Sequence, residues 1–98
     1  MSNVEKFKAI VHELYDIYKK KNSDYGDSFT QSCDEFGLIA PAIRITDKLS
    51  RFKNLLKSEV QVNESIEDTL KDLANYAIMT LIYMQKDDIS CNETTTTI

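Results

Sequence analysis

Apolar residues recur along this chain at spacings of three and four. Val4, Phe7, Val11, Leu14 and Tyr18 form the first such run, joined by Ile10 and Ile17. That period is helical, and the run predicts a first helix of about five turns. Ser2-Asn3-Val4-Glu5 precedes it as a capping box, with Ser2 as N-cap and Glu5 reaching back. Lys19-Lys20-Lys21 is expected to end the helix, since cations suit the negative end of its dipole. Asn22 to Ser28 has the composition of a loop, and Asp27 or Ser28 can cap a short helix from Phe29 to Phe36. Gly37 closes that helix in a left-handed conformation. A third helix is predicted from Ala40 to Lys57, with Pro41 in the first turn, where no backbone donor is needed. Its inner stripe is Ile45, Leu49, Phe52 and Leu56. The connector from Lys57 to Asn63 holds Val60 and Val62 in alternation, with nothing to pair as a strand. Asn63 or Ser65 caps a fourth helix whose first turn is acidic (Glu64, Glu67, Asp68), as the dipole favours. Ile66, Leu70, Leu73, Ala77, Leu81 and Met84 are its expected core stripe. After Asp87 the pattern dissolves, so residues 88–98 read as a disordered tail behind a single domain over 1–87. The expected fold is an all-α bundle of three long helices and one short one.

Composition narrows the class. With 98 residues the chain holds one domain, and one this short buries only ~60–65% of its unfolded surface, which leaves a thin core. Two Gly and one Pro are too few breakers for a turn-rich β fold. No apolar run approaches the ~18–20 residues of a membrane span. No basic-then-apolar segment opens the chain as a signal peptide does. The expectation is a cytoplasmic protein without a membrane partner. Cys33 and Cys91 show no spacing of a disulfide framework or a zinc site. A net charge of −4 argues against duplex nucleic acid, which needs clustered positive charge. That charge is uneven: residues 1–57 carry +2 and residues 58–98 carry −6.

The candidate chemistry lies off the core stripes. Arg44, Asp47, Lys48 and Arg51 stand at i, i+3, i+4 and i+7 on one flank of the third helix. Glu64, Asp68, Asp72 and Asn75 advance by four, four and three along the fourth helix, roughly opposite its core stripe. That side continues into Ile78 and Ile82. A helix apolar on both sides is an inner helix, expected within a homodimer or larger homo-oligomer. Carboxylates four apart on such a face can hold Mg²⁺. Arg and Lys on a facing helix suit phosphate oxygens. The two sets are also able simply to neutralise each other as an interhelical salt-bridge network. Tyr25 and Phe29 flank the Asp-rich loop, where an aromatic ring can stack on a base, although Phe29 equally fits a core anchor. Gly26 is expected to supply a left-handed turn. Asp24 and Asp27 either read a base or ribose or cap the loop. His12 has no triad partner and is expected at the surface. Ser28 has no neighbouring base to make it a nucleophile, and no catalytic residue is assigned.

Three blocks then stand in a familiar order: Lys21-Asn22-Ser23-Asp24-Tyr25-Gly26-Asp27-Ser28-Phe29, Arg44-Ile45-Thr46-Asp47-Lys48-Leu49-Ser50-Arg51, and Glu64 through Ala77 with Asp68-Thr69-Leu70-Lys71-Asp72-Leu73-Ala74-Asn75-Tyr76 at its centre. Together they resemble the family called nucleotide modification associated domain 1, found in bacteria and their phages. More distantly, the last block is similar to the metal-binding helix of the all-α MazG-like and dimeric dUTPase-like pyrophosphohydrolases. Those enzymes carry a Glu-Glu-x-x-Glu cluster on the preceding helix, where this chain has Arg44-x-x-Asp47-Lys48-x-x-Arg51. The resemblance implies a site for a nucleotide or a nucleotide-derived small molecule. Its expected residues are Lys21, Asp24, Tyr25, Gly26, Asp27, Arg44, Asp47, Lys48, Arg51, Asp68, Asp72 and Asn75. Binding there requires no cofactor. One form it could take is a phage sponge that sequesters a nucleotide signal of antiviral defence, by analogy alone. The alternative is a Mg²⁺-dependent nucleoside triphosphate pyrophosphohydrolase with Glu64, Asp68 and Asp72 on the metal. The third is a helical protein-interaction module.

Overall fold

A computed structural model describes residues 1–25, 27–57 and 63–86, without the side chains of residues 24, 25, 63–65 and 86. The connector with Val60 and Val62, the tail from 88 to 98 and Cys91 lie outside the described residues. Four helices and no strand occur among those described: α1 (Asn3–Tyr25), α2 (Ser28–Phe36), α3 (Ile39–Lys57) and α4 (Asn63–Lys86). The all-α expectation holds.

Helix α1 starts as its first four residues dictate. The Ser2 amide donates to Glu5 Oε1 at 2.9 Å, and the Glu5 amide donates to Ser2 Oγ at 3.1 Å. Two orphan donors are thereby satisfied by one residue pair. The end of α1 corrects the sequence reading: the helix does not stop at the three lysines but runs on to Tyr25. Asn, Ser and Asp disfavour helix by only ~0.5 kcal/mol each, which tertiary contacts override. Here the contact is Lys21, whose ammonium pairs with Asp72 of α4 at 3.0 Å. Lys19 meanwhile pairs with Asp16 at 3.8 Å and lies over the Tyr15 ring. The lysines therefore act through their side chains and not through the helix dipole.

Helices α3 and α4 are the main packed pair, α2 folds against α3, and α1 meets α4 over a short stretch. The α2–α3 corner turns on Gly37 (φ 78°), whose amide closes α2 on the Cys33 carbonyl at 2.8 Å. A side chain at Gly37 would meet no atom within 4 Å. The positive φ is thus what calls for glycine there. Cys33 and Pro41 are fully buried beneath this corner.

The docking face of α4 differs from the expected stripe. Leu70, Ala77, Leu81 and Met84 are exposed. Ile66 and Leu73 of that stripe are half-buried, and the rest of the inward face includes Thr69, Asn75, Tyr76, Met79, Thr80 and Tyr83. On α3 likewise Ile45 and Phe52 turn inward while Leu49 and Leu56 stay exposed. Ile78 and Ile82 on the second apolar flank of α4 are exposed as well. That helix packs instead through a mixed polar and aromatic face, which apolar periodicity alone does not mark.

Besides the Lys21–Asp72 pair, two polar contacts fix α1 on α4. Lys71 Nζ meets Glu13 Oε2 at 2.6 Å, and the Asn75 side-chain amide donates to the Leu14 carbonyl at 3.3 Å. The Glu13 hydrogen bond raises the Lys71 pKa above its ordinary value, opposed by a little desolvation. Asn75 is buried, and its bond satisfies a group that would otherwise cost ~1–3 kcal/mol.

Candidate functional site

Where α1, α2, α3 and α4 converge, they enclose a cleft of about 470 Å³. Helix α3 presents Arg44 and Lys48, one turn apart. Helix α4 presents Asp72, Asn75, Tyr76, Met79 and Tyr83, a spacing that keeps one face turned inward. The end of α1 adds Tyr18, Lys21 and Asn22, and the start of α2 adds Asp27, Ser28, Phe29 and Thr30.

The charged part of the cleft centres on Asp72. One of its oxygens accepts from Lys21 Nζ at 3.0 Å and the other from Lys48 Nζ at 3.2 Å. Burial pushes the Asp72 carboxyl up, but hydrogen bonds and charge from Lys21 and Lys48 outweigh it and hold the pKa below its usual value. Arg44 is exposed at the rim and forms no ion pair among the described residues. Three cations thus face two carboxylates, Asp72 and Asp27, and the cleft carries a positive balance.

Helix α2 reinforces that balance. Asp27 stands at its N-cap but makes no side-chain cap hydrogen bond. The first amide returned to the helix is that of Gln31, on the Asp27 carbonyl at 3.1 Å. The earlier amides of Ser28, Phe29 and Thr30 have no acceptor among the described residues. The positive dipole end of a helix favours an anion.

Aromatic rings make up the other side. Phe29 and Tyr76 lie with centroids 6.1 Å apart and planes at 34°. Tyr18 and Tyr83 join them in the lining, and the Tyr83 hydroxyl donates to Asp34 of α2 at 2.9 Å. Phe29 is half-buried and serves as both anchor and lining.

Of the residues singled out from sequence, Lys21, Asp27, Arg44, Lys48, Asp72 and Asn75 come together here. Asn75 does so while holding the backbone of α1. Asp47 lies instead on a shallow pocket with Ile39, Ala42, Ile43 and Thr46, and Arg51 and Asp68 are exposed away from the cleft. Gly26 and the side chains of Asp24, Tyr25 and Glu64 lie outside the described residues. Tyr18, Tyr76 and Tyr83 were missed. The spacing of Asp72, Tyr76, Met79 and Tyr83 by four, three and four carried that signal, on a face whose acidic start reads as solvated.

A magnesium site needs carboxylate oxygens free to coordinate. Both Asp72 oxygens are engaged by ammonium groups, Asp68 does not line the cleft, and no three His, Cys, Asp or Glu side chains gather among the described residues. The described donors therefore do not make such a site. Among the described residues no helix is long and apolar enough to cross a membrane.

No curated protein and no solved structure matches the chain. Residues 21–84 match the family model described as nucleotide modification associated domain 1, and the span opens at Lys21 and contains every lining residue of the cleft except Tyr18. That match covers more than half of the chain, which belongs to this family.

Proposed function

We propose that the cleft binds a nucleotide or a nucleotide-derived small molecule and holds it without turnover. The observation that carries this reading is the pairing, in one cavity, of a cationic edge with an aromatic wall. Arg44, Lys48 and the N-terminal amides of α2 suit phosphate oxygens, with Arg44 able to make forked contacts. Tyr76, Phe29 and Tyr18 offer ring faces to a base, a contact worth ~1–3 kcal/mol. The family's description supports a nucleotide-related role. Binding without chemistry is favoured by the engagement of Asp72, which leaves the cleft no free pair of carboxylates among the described residues. Sequestering a nucleotide signal, as a phage counter-defence sponge does, is one use such a protein serves.

The test is a thermal-shift screen with nucleoside mono-, di- and triphosphates and cyclic oligonucleotides, with Mg²⁺ and with chelator. A ligand at 100 times its Kd stabilises by ~2.7 kcal/mol. For a domain of this size that raises Tm by roughly 10–20 °C. The expected result is a saturable rise lost in Arg44→Ala, with the ligand recovered intact after heat release. No rise with any nucleotide overturns the reading in favour of a protein-interaction module. Pyrophosphate release abolished by Asp72→Ala overturns it in favour of hydrolysis.

A further inference from the structure

Helix α1 carries one apolar stripe and buries only part of it. Along that stripe exposure falls from 79% at Val4 and 72% at Phe7, through 52% at Ile10 and 43% at Val11, to 6% at Leu14. Leu14 is where α1 meets α4, at the Asn75 contact. The first three turns therefore extend past their support with Val4, Phe7, Ile10 and Val11 in water. Isolated helices of this length are marginal in water. The stripe is continuous with the packed contact at Leu14 and repeats its chemistry.

A second bare apolar surface lies on α4, where both apolar flanks are exposed: Leu70, Leu81 and Met84 on one, Ile78 and Ile82 on the other. We propose that the two surfaces cover each other between two copies of this chain. The overhang of α1 from one copy lies on the exposed surface of α4 of the other, and the reverse contact completes a two-fold pair. Self-complementarity of this kind is what a closed dimer requires. The area is sufficient: with an aromatic side chain offering ~150–250 Å², the two surfaces together expose roughly 1,000 Å² per chain. A standard interface takes ~800 Å² from each partner. Ile82 belongs to both the α4 surface and the cleft lining, so the second copy stands at the rim of the cleft. The pairing rests on apolar surface alone and is independent of the proposed ligand.

Light scattering coupled to gel filtration tests it on the full chain. The wild-type protein is expected at twice the chain mass at micromolar concentration. Phe7→Glu and Leu81→Lys are each expected at the mass of one chain. Mixed together they should recover a dimer, because one seam pairs the introduced charges and the other is wild type. Ile43→Glu alters a different exposed apolar patch, at the α2–α3 corner, and should leave the dimer intact. A monomeric wild-type chain overturns the proposal. So does dissociation by Ile43→Glu alone, or a mixture that stays monomeric. Circular dichroism of each variant separates loss of pairing from loss of folding, since both substituted side chains are exposed in the single chain.

Discussion

The two halves of α1 share one pattern and meet different fates. Both carry apolar residues at three- and four-residue spacing, and both are helical. The C-terminal half docks on α4 through Leu14, adds Tyr18 and Lys21 to the cleft, and is held by Glu13, Lys21 and the Leu14 carbonyl. The N-terminal half has its capping box and its stripe but no packing partner among the described residues. Amphipathicity therefore marks a face that needs burial without saying who buries it. The family match begins at Lys21, on the docked side of this division.

The largest expected effect separates the halves directly. Leu14→Ala should destabilise the fold by ~2–4 kcal/mol in urea denaturation, as loss of a buried leucine does. Phe7→Ala, measured at a protein concentration low enough to keep chains single, should stay within ~0.5 kcal/mol. Equal losses would break the comparison. Next comes the cleft that the docked half completes. Arg44→Ala should weaken nucleotide binding by about tenfold, a difference of ~1.4 kcal/mol, and leave Tm unchanged, because Arg44 has no ion-pair partner among the described residues. Lys48→Ala should weaken binding and lower Tm together, since it removes one of the two cations on Asp72.

The pH profile sharpens the same division. Asp72 has a folded pKa below its ordinary 3.8. Its contribution is therefore complete above the ordinary value and fades as pH falls through the depressed one. Asp72→Asn should flatten that part of the acid limb. Lys71 has a folded pKa above its ordinary 10.5. Its contribution is complete below that value and fades as pH rises through the raised one. Lys71→Met should flatten the alkaline limb, and both changes are read from urea midpoints against pH. The smallest effect belongs to the overhang. Ser2→Ala removes a cap worth ~0.5–2 kcal/mol. It should appear as faster amide exchange in the first turn of α1, with the global midpoint unmoved.

Helix positions, the capping box, the punctuation at Gly37 and the place of Pro41 were all legible, because each depends on near neighbours in the chain. Arg44, Lys48 and Asp72 were legible as candidates for the same reason: their spacing puts them on the flanks of two helices. The aromatic wall was not. Tyr76 and Tyr83 share the face of Asp72, but only α1, α2 and α3 closing over that face turn it from solvent side to cavity. Arg51 and Asp68 show the converse, since a shared stripe four residues long does not reach a common cavity at both ends.

What the amino-acid order determined by itself is therefore local: four helices, their starts and turns, two apolar flanks on α4, and opposite charges on α3 and α4. Tertiary structure decided which face α4 buries, how far α1 continues past its lysines, and that Asp72 is shared by Lys21 and Lys48. The physical reason is range. Backbone hydrogen bonds, caps and dipole effects act within a turn or two, whereas burial and ion pairing depend on which surfaces, remote in sequence, are brought into contact.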